Sequence, residues 1–63
     1  MTQQRLTTIT VAGSTPSGWQ AVTASGHRVE LPSAALMNLR FVRNGQRLHA
    51  EVLDGRVVRA WLA

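Results

Sequence analysis

The stretch Gln46-Arg47-Leu48-His49-Ala50-Glu51-Val52-Leu53-Asp54-Gly55-Arg56-Val57-Val58-Arg59-Ala60-Trp61-Leu62 decides the fold. It contains two alternating runs, 46–52 and 56–62, joined through Asp-Gly. Alternation with a period of two marks a half-buried strand, and Asp-Gly favours a tight turn between two such strands. Side-chain sorting then chooses between two registers. With a two-residue loop, Leu48, Ala50 and Val52 share a face with Val57, Arg59 and Trp61, and neither face is cleanly polar. With a three-residue loop, Leu53-Asp54-Gly55, the faces separate. Leu48, Ala50, Val52, Val58, Ala60 and Leu62 form an apolar face, and Arg47, His49, Glu51, Val57, Arg59 and Trp61 form the other. A slip of one residue turns every side chain over, so the sorted register is expected, with Gly55 at positive φ. Trp61 is then expected on the outer face, held by Arg47 and Arg59 through cation–π contact.

Outward from this hairpin, the chain is dense in turn signals. Gly13-Ser14-Thr15-Pro16-Ser17-Gly18, Ser25-Gly26, Pro32-Ser33 and Asn44-Gly45 each punctuate it. Between them lie further short runs near 5–12, 19–24 and 27–31 that read as strands. Ser33-Ala34-Ala35-Leu36-Met37-Asn38 differs: Ser33 can cap a helix, and Ala, Leu and Met sustain one for a turn or two. The expected fold is therefore all-β. It is a small five-stranded OB-like Greek-key barrel with one short helix between strands 3 and 4. An SH3-like barrel has a similar strand count and stays open on this ground. No repeat, low-complexity tract or linker divides the chain, so residues 1–63 are read as a single domain.

Size and composition bound the function. A chain of 63 residues buries only about 60% of the surface its unfolded form exposes, and such a core rarely contributes more than about 3–5 kcal/mol. It has no Cys, hence no disulfide and no thiolate metal site. No apolar run approaches a bilayer span, and the start of the chain lacks the apolar stretch of a secretory signal, so a cytoplasmic domain without a membrane partner is expected. The net charge is +4, and all seven basic residues are Arg. Residues 40–63 hold five of them, against Glu51 and Asp54. A basic surface concentrates polyanions, and Arg both forks onto phosphate and stacks on bases. A high-GC coding bias would also replace Lys by Arg, with no partner involved.

Several runs resemble the cold-shock domain. Val42-Arg43-Asn44-Gly45-Gln46-Arg47-Leu48 is similar to the loop and fourth strand of that family, where a Gly-Gln-basic-aliphatic run opens the strand. Gly18-Trp19-Gln20-Ala21-Val22 stands where its first RNA-binding motif, Gly-Phe-Gly-Phe-Ile, would be. Val29-Glu30-Leu31-Pro32-Ser33-Ala34-Ala35-Leu36 stands where Val-Phe-Val-His-Phe runs on into Ser-Ala-aliphatic. Bacterial translation initiation factor one and S1 repeats share the same outline. The resemblance implies a five-stranded barrel that binds single-stranded RNA or DNA. It also carries departures. Only Trp19 remains of the stacking aromatics, Ala21 holds the next outward place, and Glu30 and Pro32 replace Phe and His. Each lost ring forgoes about 1–3 kcal/mol of base stacking.

The candidate nucleic-acid-binding residues are Trp19, Arg28, Arg40, Phe41, Arg43, Arg47, His49, Arg59 and Trp61. Trp19 reads equally as a stacking platform or as a cap over the barrel mouth. Trp61 reads as a plug or as a second ring, and Phe41 as a loop anchor or a partner contact. Glu51 can pair with an Arg of its own face, and Arg28 with Glu30 two residues on. The two histidines, His27 and His49, stand 22 positions apart without clustered ligands, so no metal and no cofactor is expected. No triad order, nucleophile elbow or phosphate-cradling Gly loop is present, so the chain is not read as an enzyme. The leading expectation is a weak, low-specificity binder of single-stranded RNA or DNA. The alternative is a protein-interaction module on the same fold, regulating the transcription or translation machinery. A homodimer through the terminal strand is a third possibility, because a small core gains from association. The surface of strands 2 and 3 separates them: an Arg- and Trp-lined groove suits nucleic acid, and a flat Thr, Ala and Val face suits protein.

Overall fold

The computed structural model describes residues 5–62; residues 1–4 and 63 of the expected domain lie outside it. Five strands follow one another along the chain: β1 (Arg5–Thr15), β2 (Gly18–Thr23), β3 (Arg28–Pro32), β4 (Arg47–Leu53) and β5 (Arg56–Leu62). They close into a barrel in the order β1-β2-β3-β5-β4. All neighbours are antiparallel except β3 and β5, which run parallel. This is the small OB-like Greek-key barrel expected from the punctuation, and among the described residues no helix is long and apolar enough to cross a membrane.

The longest strand closes the barrel. β1 pairs with β4 through Arg5–Thr10 and with β2 through Ile9–Thr15. Val11 pairs with Ala21 but Gly13 with Gln20, so β1 carries an extra residue at Ala12. A bulge of this kind bends a strand and strengthens its twist, letting one strand serve two directions of the sheet. It also explains why β1 reaches Thr15, beyond the expected end near residue 12. Gly13, Ser14 and Thr15 continue the ladder, and the turn itself falls on Pro16-Ser17.

The closing hairpin combines the two registers weighed above. Leu53 pairs with Arg56, so the loop is the two residues Asp54-Gly55 and not three. Both have positive φ, 53° and 76°, the signature of the type I′ turn that Asp-Gly prefers. The pairing then shifts: Val52 meets Val57, whereas Glu51 meets Arg59. The extra residue in β5 is Val58. Beyond it Ala50 faces Ala60 and Leu48 faces Leu62, as the sorted pattern required. Val57 therefore enters the core at 1% exposure, and Val58 is left outside at 38%. Tight-turn chemistry and apolar sorting are both satisfied at the cost of one bulge.

The core is narrow. Ile9, Val11, Leu31, Leu48 and Val57 fill it, and Ala21, Ala50 and Ala60 are wholly buried where strands crowd. Between β3 and β4 the expected helix shrinks to a single 3-10 turn, Ser33–Ala35. Ser33 makes no side-chain cap there; its carbonyl accepts from the N–H of Leu36. Leu36 bridges to Ala60, and the N–H of Met37 donates to the carbonyl of Ala60 at 2.8 Å, covering the part of that β5 edge beyond the reach of β3. Gly18 marks the tightest crossing. A Cβ there would collide with the Leu31 carbonyl and stand 2.8 Å from the Ser33 nitrogen.

Two measurements test this packing. Gly18→Ala should cost about 2 kcal/mol or more, because backbone lies on the far side of the clash; in a domain of this size, thermal melting should drop by about 8 °C or more. Val57→Asn should abolish cooperative urea unfolding by burying an unpaired amide, whereas Val58→Asn should shift stability by about 0.5 kcal/mol or less. Equal effects at the two positions would contradict the bulge.

Candidate nucleic-acid interface

Parity along each strand assigns the candidate residues to the two faces of the barrel wall. Ala21 is wholly buried, so Trp19 and Thr23 share its inward side of β2, and Gln20 and Val22 point out. Trp19 is half-buried and packs against the core, cross-strand from Leu31 and Ser14. It is therefore not a ring standing out from the sheet, and Ala21 does not hold an outward place. The free margin of Trp19 lines a small cleft with Thr15, Ser17 and Pro32 at the lip of the barrel. The outer surface of β2 and β3 presents Gln20, Val22, Arg28 and Glu30, with no aromatic side chain. Neither an Arg- and Trp-lined groove nor a flat Thr, Ala and Val face describes it.

The charges sort by partner. Glu30 lies directly across from Arg56 on the parallel seam, and their ion pair measures 3.3 Å. The expected Arg28–Glu30 pair is thus replaced. Residues two apart on one strand stand roughly 7 Å apart, while a residue opposite on the next strand is about 4.8 Å away. Glu51 bonds Arg59 at 3.0 Å, again directly cross-strand. Both glutamates are occupied. Among the described residues Arg5, Arg28, Arg40, Arg43 and Arg47 have no carboxylate within 4 Å.

Two of these free cations end one row across the outer wall. Arg28 on β3 pairs with Val22 on β2, Val22 with Thr10 on β1, and Thr10 with Arg47 on β4. Three strand spacings separate the two guanidinium-bearing positions, about 14 Å. That is the axial length of about four stacked nucleotides. A second outer row, Thr8–His49–Trp61, runs beside the β4 end of the first. The His49 and Trp61 rings lie 6.2 Å apart, tilted by 41°. Trp61 is on the outer face as expected, but the group packed on it is this imidazole and not a guanidinium. Arg59 is drawn to Glu51, and Arg47 lies beyond the Leu48–Leu62 pair.

The remaining candidates stand on the loop between the 3-10 turn and β4. Phe41 is 64% exposed and does not anchor the loop; Val42 does, at 5%. Exposed Arg40 and Arg43 flank them. The turn Arg43-Asn44-Gly45-Gln46 closes through the N–H of Gln46 to the Arg43 carbonyl at 3.0 Å, with Gly45 at φ 85°. The Gln46 side chain accepts from the Arg43 N–H at 3.0 Å. The Gly45 N–H donates to the Val11 carbonyl, and the Val11 N–H to the Gln46 carbonyl. The turn that Arg43 opens is thereby moored to Val11 of β1. Thr10 and Val22, which join the two arginines into a row, carry no mark in the sequence; only the register of β1 against both neighbours reveals them. Among the described residues no group of three His, Asp or Glu side chains gathers. Comparison with protein-family models, curated proteins and solved structures finds no match.

The two tryptophans should respond differently to truncation. Trp19→Ala should lower stability by about 2–3 kcal/mol in a urea titration, since it opens the lip of the core. Trp61→Ala should cost about 1 kcal/mol, because its ring is half-buried on the outer face beside His49 and not part of the core.

Proposed function

We propose that this barrel is a weak, low-specificity binding module for single-stranded nucleic acid, with its contact surface on the outer wall of β1, β2, β3 and β4. The observation that carries the reading is the row Arg28–Val22–Thr10–Arg47, with free cations at both ends while both glutamates are held by Arg56 and Arg59. Arg28 and Arg47 take phosphates, and exposed Arg43, on the turn before β4, adds a third cation. Thr10 offers a hydroxyl and Val22 an apolar seat between the two. Trp61 and His49, one row over, supply the ring surface on which a base stacks. Trp19 has no part in this mode, because its ring is committed to the core. The resemblance of Val42-Arg43-Asn44-Gly45-Gln46-Arg47-Leu48 to the loop and fourth strand of cold-shock domains supports the same class of partner. The barrel differs from that family in moving the aromatic pair to β4 and β5.

A protein partner is the second reading. It is favoured by the exposure of Phe41 at 64% and Leu62 at 57%, on the loop before β4 and at the end of β5. Such a partner would engage those residues and leave the arginine row untouched.

Titration of a mixed-sequence single-stranded oligonucleotide into isotope-labelled protein at several salt concentrations separates the two. The strand-binding reading expects shifts at Thr10, Val22, Arg47 and the Trp61 indole, with the Trp19 indole still. The logarithm of the binding constant should fall with that of salt by about 0.7 for each phosphate neutralised. Arg28→Ala and Arg47→Ala should each reduce that slope by about 0.7. Absence of any shift at low salt would remove nucleic acid as the partner.

A further inference from the structure

The end of the barrel opposite Trp19 holds a cavity of about 490 Å³. We infer that it is a binding site for a phosphate monoester of about mononucleotide size. It lies off the arginine row, shares only Arg28 with it, and does not depend on the strand-binding reading.

The register places a cation over an apolar mouth. Arg5, Thr7 and Ile9 alternate on the inward side of β1, and Ile9 is wholly buried. Arg5 stands across from Val52 and Thr7 across from Ala50, both on the interior side of β4. The floor of the cavity is thus Thr7, Val29 and Val52, and its walls carry Arg5, His27 and Arg28. Among the described residues no carboxylate lines it, and neither arginine has an acidic partner. A structural role asks only for an aliphatic stem at position 5; two unpaired guanidiniums around one hollow suit an anion.

The histidine wall is pre-organised. The His27 N–H donates to Thr23 Oγ1 at 3.1 Å, Thr23 Oγ1 and Ser25 Oγ are 3.0 Å apart, and Ser25 Oγ meets His27 Nδ1 at 3.0 Å. This network braces the tight turn at Gly26, whose φ is 90°. It engages one ring nitrogen of His27 and leaves Nε2 as the nitrogen through which the imidazole can meet a ligand. Two forked cations and an imidazole match the oxygens of a phosphate monoester. The apolar floor suits the body of the ligand, and the volume falls in the range of small-molecule sites.

The test uses the whole isotope-labelled chain and three probes: uridine 5′-monophosphate, uridine and inorganic phosphate. The nucleotide should shift the amides of Thr7, Thr23, His27 and Val29, and bind at least about tenfold more tightly than uridine. Arg5→Ala should weaken it about tenfold, and His27→Gln by a smaller factor, while Gln20→Ala, exposed on β2 and away from the cavity, leaves it unchanged. Arg5 is exposed at the start of its strand, so a thermal melt of Arg5→Ala near that of the parent identifies a binding effect. The site is overturned if uridine binds as well as its phosphate, if Arg5→Ala binds like the parent, or if no mouth amide shifts up to about 10 mM nucleotide. A 5′-phosphorylated tetrauridylate then distinguishes the sources of the same phosphate. Tighter binding than the mononucleotide assigns the site to a strand end, and equal binding assigns it to the free metabolite class.

Discussion

The hydrogen-bonding of Arg5–Thr15 on both sides is the constraint on which the barrel depends. One strand must satisfy two neighbours that diverge, β4 over its first half and β2 over its second. The extra residue at Ala12 lets the backbone change direction while its donors and acceptors stay paired. With that strand in place, β4 brings the closing hairpin and β2 brings β3, and the remaining gap between β3 and β5 is narrow. A single register pair, Glu30 with Arg56, joins those two strands, aided by the Glu30 N–H to the Gly55 carbonyl at 3.0 Å. The seam is completed from the other direction by Leu36 and Met37 against Ala60.

The strands were legible because this chain punctuates itself. Pro16, Gly26, Asn44-Gly45 and Asp54-Gly55 fall at or beside the observed turns, and the runs between them alternate. What resisted reading was the side to which each residue turns. The β4–β5 hairpin offered two registers, each correct for half its length; Val58 is spent as a bulge so that Asp-Gly keeps its two-residue turn. Of the two readings of Trp19, the structure favours the cap over the barrel mouth, and the choice was hidden for a related reason. Alanine fits either face of a strand, so Ala21 gave no hint that it lay at the centre of the core and carried Trp19 inward with it. The partner of Glu30 was hidden because Arg56 lies 26 residues away across the parallel β3–β5 seam.

The candidate site was legible in its parts and not in its arrangement. Arg28, Arg47, His49 and Trp61 are all exposed or half-buried on the outer wall. Their grouping into two rows follows from cross-strand register, which composition does not record. The same register separates arginines that look alike in the sequence. Arg56 and Arg59 are absorbed by carboxylates on neighbouring strands, while Arg28 and Arg47 face Val and Thr.

The arginine row also has a chemical permanence. Cells commonly erase a basic surface by acetylating lysine, which removes the charge outright. This chain contains no lysine, and acetylation therefore has no side chain on the row to neutralise. Methylation would reach an arginine but would leave its charge while blocking the paired bonds it can offer. Such a change would alter the geometry of the bonds this outer wall offers, yet its positive charge stays on.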